Sequence, residues 1–205
     1  MDKIILGIFI GVAAVAMCQD RVTASTSRPS AAAPRFDRGV VEGRTYKNAS
    51  VGIELTLAPE LTFGTPELKG MPGTFVTVDA WDQELVSARG GTIFYADALA
   101  NHPEDQRSTE ARVQSVVHDN RNFGFEPLDG STREKLGGVV FARTDFRKGA
   151  AHEAVFIRAC DTQALVLVFY GVNREAVNKL VTATELKLDL SMSGCGSRAG
   201  SVPKK

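Results

Sequence analysis

The side chains best suited to chemistry are three histidines, each close to an acidic residue in the chain. They are His102 near Glu104 and Asp105, His118 before Asp119, and His152 before Glu153. An imidazole and a carboxylate together can act as a general acid–base pair or as metal ligands. No two histidines have the four-residue spacing of a helical zinc site, and neighbouring residues on a strand point to opposite faces. The pattern therefore predicts no metal site, no cofactor site and no catalytic residue.

A catalytic site that is assembled only by the fold is an alternative. In that hypothesis the protein is a secreted hydrolase in which His152 meets Asp145 or Glu153. Catalytic groups converge from distant positions in many unrelated enzymes, so spacing along the chain does not exclude it. The hypothesis requires one histidine within hydrogen-bond reach of both a carboxylate and a nucleophile.

Complete catalytic motifs are missing from the sequence. Neither the G-x-S-x-G nucleophile elbow nor a Walker phosphate-binding loop occurs. Arg143, Asp145 and Arg158 are expected to pair across neighbouring strands, and surface ion pairs of that kind usually contribute little to stability or function. The 24 basic residues are balanced by 24 acidic ones, so there is no electrostatic reason to bind nucleic acid. We predict a protein that is not an enzyme and has no nucleic-acid partner.

The amino-terminal segment predicts export. Asp2 and Lys3 precede an unbroken apolar run of 14 residues, 4–17. A membrane-spanning helix needs about 20 apolar residues, whereas a shorter run suits the core of a signal peptide. We therefore predict a signal peptide over 1–18 and an extracytoplasmic protein in the periplasm or cell envelope. An uncleaved amino-terminal anchor is a further alternative.

Two cleavage sites compete at the end of this run. Val15-Ala16-Met17-Cys18 resembles the bacterial lipoprotein signal, which implies cleavage before Cys18 and lipid on its thiol. Met17 departs from that pattern, because the family normally has a small residue there. Ordinary cleavage after Ala16 is the alternative. The first interpretation predicts a lipid anchor at Cys18.

The three cysteines favour the lipoprotein interpretation. If Cys18 carries lipid, Cys160 and Cys195 remain as a pair in an oxidising compartment and are predicted to form a disulfide. Closing this loop of about 35 residues would stabilise the fold by roughly 3 to 4 kcal/mol. Two unrelated reduced cysteines are the alternative.

Composition divides the rest of the chain into three parts. Residues 19–43 are rich in Ala, Ser, Pro and Arg without apolar periodicity, and they predict a flexible linker. Residues 44–195 have the length and apolar content of one domain. Residues 196–205 predict a disordered tail.

Alternating apolar residues in the domain predict strands at 51–57, 74–81, 92–95, 138–146, 154–160 and 164–170. Gly90 and Gly91 are expected to interrupt the strand pattern, and the last three strands to form an antiparallel meander. One helix is predicted from about Asn101 to Asp119, with a buried stripe formed by Ala111, Val113, Val116 and Val117. A second helix is predicted after an N-cap at Asn173. The expected fold class is α+β, a single antiparallel β-sheet flanked by helices.

This order of elements resembles the PsbP-like family. The resemblance rests on Tyr46-Lys47-Asn48, Gly52-Ile53-x-Leu55, Pro59 and the late meander followed by a helix. It implies an α/β/α sandwich of the kind found in extrinsic photosystem proteins and bacterial envelope lipoproteins. It also implies a non-enzymatic binding or assembly role beside a membrane. The expected partners are a membrane, through the amino-terminal lipid or signal segment, and an envelope protein.

Overall fold

The computed structural model describes residues 37, 39–59, 61–63, 75–81 and 90–189, with the backbone alone for 75–81 and Asn101. All of them belong to one compact unit, Ala33–Lys205. The predicted signal peptide, the Cys18 anchor, Cys195 and the carboxy-terminal tail lie outside the described residues.

The described chain forms twelve strands and two α-helices. In chain order these are β1 Val40–Glu42, β2 Thr45–Asn48, β3 Ile53–Thr56, β4 Thr62–Phe63, β5 Phe75–Trp81, β6 Gly90–Ala98, α1 Thr109–Asn122, β7 Glu126–Pro127, β8 Thr132–Leu136, β9 Val139–Lys148, β10 Ala151–Ala159, β11 Gln163–Gly171, α2 Arg174–Ala183 and β12 Glu185–Leu188. Short 3-10 helices, Leu99–Asn101 and Glu104–Gln106, separate β6 from α1. Among these elements, neither α-helix is long and apolar enough to cross a membrane.

The strands form two sheets, so the prediction of a single sheet is wrong. The large sheet has the order β4-β5-β6-β11-β10-β9-β7, and β8 also pairs with β9; the small sheet has the order β1-β2-β3-β12. Every pairing between the described strands is antiparallel, and β9, β10 and β11 form the predicted meander. Alternation shows which residues face a core, but it does not show which strands share hydrogen bonds. After α2 the chain returns as β12 to pair with β3, which completes the second sheet.

The two faces of the large sheet carry different cores. Phe94, Phe156 and Phe169 belong to a larger core that also contains buried residues of the small sheet and of α2. The opposite face carries a smaller core beneath α1, made of Val113, Phe146, Val155, Ile157 and Val166. The described architecture is therefore α1, then the large sheet, then a layer shared by α2 and the small sheet.

The ends of both helices are set by capping side chains. The Ser108 hydroxyl accepts a 3.0 Å hydrogen bond from the backbone N of Ala111, so α1 begins at Thr109 and not near Asn101 as predicted. The residues that the sequence assigns to the first turns of this helix instead form the 3-10 helix Glu104–Gln106. Asn173 Oδ1 accepts a 2.8 Å bond from the backbone N of Ala176, which confirms the predicted cap of α2.

Two other sequence predictions differ from the structure. Gly90 and Gly91 are the first two residues of β6: Gly90 pairs with β11, Gly91 pairs with both β11 and β5, and these pairings outweigh the low strand propensity of glycine. Val40–Glu42, placed in the linker by composition, form β1 and pair with β2. The folded part of the chain therefore starts before residue 44.

A turn of the large sheet lies against the small sheet at Gly137. This glycine has φ +58°, and a Cβ there would collide with the carbonyl oxygen of Leu186 on β12. The contact explains why the β8–β9 turn needs glycine at this position.

Candidate functional site

A charged cleft lies where β8, β9 and the start of α2 meet. Its cavity of about 240 Å³ is lined by Asp129, Gly130, Thr132, Glu134, Arg143, Asp145, Arg174 and Asn178. The lining supplies guanidinium, carboxylate, amide and hydroxyl groups, all of which recognise polar or charged partners. We refer to these eight residues as the charged cleft.

Arg143 is the fixed centre of the charged cleft. Its Nε donates to Asp145 Oδ1 at 2.8 Å, Nη1 donates to Glu134 Oε2 at 2.9 Å, and Nη2 donates to Asn178 Oδ1 at 2.7 Å. The guanidinium carbon also lies 5.3 Å from the centroid of the Phe156 ring. Burial alone lowers the pKa of Arg143, but the hydrogen bonds to the two carboxylates outweigh it and the pKa is raised. Three elements and an aromatic ring therefore hold this charge in place.

Arg174 is the more exposed of the two arginines in the charged cleft. It is the first residue of α2, and its side chain is 55% exposed compared with 12% for Arg143. Its Nη2 lies 3.2 Å from Asp145 Oδ2 and 3.5 Å from Asp129 Oδ2. A positive charge is unfavourable at a helix N-terminus, and the two carboxylates offset that cost.

This arrangement corrects the expected pairing of Arg143, Asp145 and Arg158. Arg143 and Asp145 pair along one strand and not across two, because residues two apart on a strand share a face. Arg158 Nη1 instead donates to the carbonyl oxygen of Val140 at 2.7 Å. The sequence does place Arg143 and Asp145 two residues apart on one predicted strand, but no local signal connects them with Arg174.

A second polar group lies on the opposite face of the sheet, at the start of α1. His102 Nε2 is hydrogen-bonded to Asp97 Oδ2, and Arg112 Nη1 lies 3.2 Å from His102 Nδ1. Arg112 Nη2 also lies 3.4 Å from the same carboxylate oxygen. All three side chains are partly buried. His102 therefore pairs with an acid that precedes it, whereas Glu104 and Asp105 are exposed.

Glu153 lies under the other end of α1. Asn120 Nδ2 donates to Glu153 Oε1 at 3.3 Å. Burial raises the pKa of Glu153 to about 7, and the Asn120 bond lowers the pKa only in part. A carboxyl group in this setting holds its proton close to neutral pH.

His152 and Glu153 are separated as strand alternation predicts. His152 Nδ1 is 3.1 Å from the carbonyl oxygen of Ala150, so the ring donates to its own strand end. Glu153 is instead held by Asn120 on the face covered by α1, and Asp145 is held by the two arginines of the charged cleft. His118, on α1, is exposed.

Among the residues whose side chains are described, 37, 39–59, 61–63 and 90–189 without 101, no three His, Cys, Asp or Glu residues lie close enough to hold a metal ion. Cys160 follows β10 and is disulfide-bonded. The other two cysteines of the sequence are outside the described residues. Pairing of Cys160 with Cys195 and lipidation of Cys18 therefore stay predictions.

Comparisons with known proteins concern the fold. No family model and no curated protein matches the sequence. The structure is similar to a protein of Bacteroides thetaiotaomicron VPI-5482 at 10% identity and a TM-score of 0.43, covering 73% of this chain and 50% of that one. This chain thus spans half the length of the Bacteroides protein.

A second similar structure is the cyanobacterial PsbP (CyanoP) of Synechocystis sp. PCC 6803. The identity is 11%, the TM-score is 0.47, and the match covers 72% of this chain and 94% of that one. The likeness is one of fold. It agrees with the PsbP-like resemblance of the sequence, and every site residue named above is assigned from this chain alone.

Proposed function

We propose that this chain is an exported, membrane-tethered, non-catalytic binding or assembly module of the bacterial cell envelope, which engages a protein partner through the charged cleft. The apolar leader, the predicted lipid site at Cys18 and the linker that follows support the tether. The location in the periplasm or envelope rests on the same features.

The observation that carries the docking role is the fixed position of Arg143. A side chain that is already ordered loses little conformational entropy when a partner binds. Glu134, Asp145 and Asn178 hold its guanidinium at the edge of the cavity, and the more exposed Arg174 also lines this cavity. Charged groups of fixed geometry select partners by electrostatic complementarity and not by buried apolar area.

The tether and the docking site are tested together in the membrane-anchored full chain. A photo-crosslinking residue is placed at Thr132 in the charged cleft and, as a control, at Lys187 on the small sheet, which is also exposed. We expect crosslinking to one envelope protein from position 132 and none from position 187. The double substitution Asp129→Asn and Arg174→Gln should abolish the crosslink while leaving the fold intact, because both side chains are exposed.

Three results would contradict the proposal. These are fractionation of the protein without the membrane when Cys18 is present, a crosslink that forms equally from both positions, and a crosslink that survives the double substitution. A Cys18→Ser variant separates the two parts, since it should release the protein from the membrane without changing the charged cleft.

A further inference from the structure

Helix α1 covers one face of the large sheet but buries few apolar side chains against it. Val113 is its one fully buried residue, and Val116 and Val117 are partly buried against the smaller core. Helix α2 instead contributes three buried residues, Val177, Leu180 and Val181, to the larger core on the other face. Elements with few buried apolar side chains open locally at the lowest free-energy cost.

The carboxyl group of Glu153 lies under the carboxy-terminal half of α1, where Asn120 is located. Its neighbours are Asn120 of α1, Tyr95 of β6, on which Glu153 and Asp119 of α1 both act electrostatically, and the cross-strand residues Tyr170 of β11 and Phe146 of β9. Asn120 donates a hydrogen bond from its side-chain amide to the carboxyl group of Glu153.

The nearby cations are engaged elsewhere. Lys148, on the same face of β9 as Phe146, donates to the carbonyl oxygen of Phe123 at 2.7 Å and lies over the ring of Phe125. Arg112 of α1 is held by Asp97 and His102 at the helix start. An ionised Glu153 would therefore have an amide but, among the described side chains, no paired cation, which is a costly state for a carboxylate that is partly buried.

We propose that protonation of Glu153 controls the docking of α1, so that the carboxy-terminal half of the helix stays closed over the neutral carboxyl group and lifts when the group ionises. Lifting admits water to the carboxylate; it requires the loss of the partly buried contacts of Val116 and Val117 and of the hydrogen bond from Lys148 to the carbonyl oxygen of Phe123. The raised pKa, about 7, places the transition near neutral pH. The charged cleft lies on the opposite face, so this inference does not depend on the proposed function.

Hydrogen exchange of the backbone amides tests the proposal in the full chain. A carboxyl group with a pKa of about 7 when closed and about 4.5 when open makes opening about tenfold more favourable at about pH 8 than at about pH 6. We expect the protection factors of amides 117–122, corrected for the intrinsic pH dependence of exchange, to fall by about that factor. Protection in α2 should not change.

Two variants isolate Glu153 as the cause. Glu153→Gln should remove the pH dependence, whereas Glu110→Gln, the same loss of charge at an exposed position of α1, should keep it. Asn120→Ala removes the bond that favours the ionised form and should move the transition to higher pH. Unchanged protection in the native protein, a pH dependence that persists in Glu153→Gln, or an equal loss of protection in both helices would overturn the proposal.

Discussion

Asp145 divides its two carboxylate oxygens between Arg143, whose Nε donates to Oδ1 at 2.8 Å, and Arg174, whose Nη2 lies 3.2 Å from Oδ2. One carboxylate thus connects β9, the strand next to one edge of the large sheet, to the first residue of α2. The two arginines differ in exposure, so their contributions to stability and to binding can be separated.

Substitution of Arg143 should destabilise the fold. Arg143→Lys keeps the charge but loses the three-way hydrogen bonding, and it leaves the partly buried Oδ1 of Asp145 without its arginine donor. We expect the free energy of unfolding to fall by about 2 to 3 kcal/mol. Urea denaturation measures it. Arg174→Lys is the control and should cost less than about 1 kcal/mol, because its ion pairs are exposed; equal losses would show that Arg143 has no special structural role.

Glu153 should make stability depend on pH. Folding raises its pKa to about 7 from 4.5, so its contribution to stability is fully present below about pH 4.5 and is lost as the pH rises through about 7. Glu153→Gln should therefore gain stability over the native protein as the pH rises, by at most about 3 kcal/mol at about pH 8. Chemical denaturation over a pH series measures the difference. A constant difference between the two proteins at all pH values would contradict the argument.

Gly137 should tolerate no side chain, whereas Gly149 should. Both have positive φ, +58° and +60°, but a Cβ at 137 collides with Leu186 of β12, while a Cβ at 149 meets nothing within 4 Å. Gly149→Ala should cost about 1 kcal/mol, the usual cost of the left-handed backbone. Gly137→Ala should cost about 3 kcal/mol or more, because the contact between the two sheets must also shift. Thermal unfolding of both variants measures this difference, and equal costs would show that the contact yields easily.

The predicted disulfide between Cys160 and Cys195 is tested by thiol titration of the secreted protein. We expect no free thiol from this pair before reduction and two after it, with a loss of roughly 3 to 4 kcal/mol in unfolding free energy on reduction. Cys195→Ser should leave one reactive thiol at position 160. Two reactive thiols in the folded, unreduced protein would rule out the pairing.

Strands and helix caps could be predicted because their causes are local. Val155 and Ile157 alternate with Phe156 over one buried stretch, and the three-residue gap before Ala164 limits how the chain can turn back, so the antiparallel meander follows from the pattern. Asn173 caps α2 through an atom three residues away. The start of α1 was misplaced for a similarly local reason, since Pro103 and two acids also suit a 3-10 helix.

The sequence by itself therefore determined the antiparallel α+β character, the meander, the cap of α2 and the separation of His152 from Glu153, because each depends on backbone periodicity or on side chains a few residues apart. Only the tertiary structure decided the second sheet and the polar clusters. Arg174 meets Asp145 from 29 residues away, and β12 pairs with β3 from the other end of the domain. These long-range contacts depend on which distant strands pair and on how the helices pack on the sheets. Local sequence patterns do not encode either property.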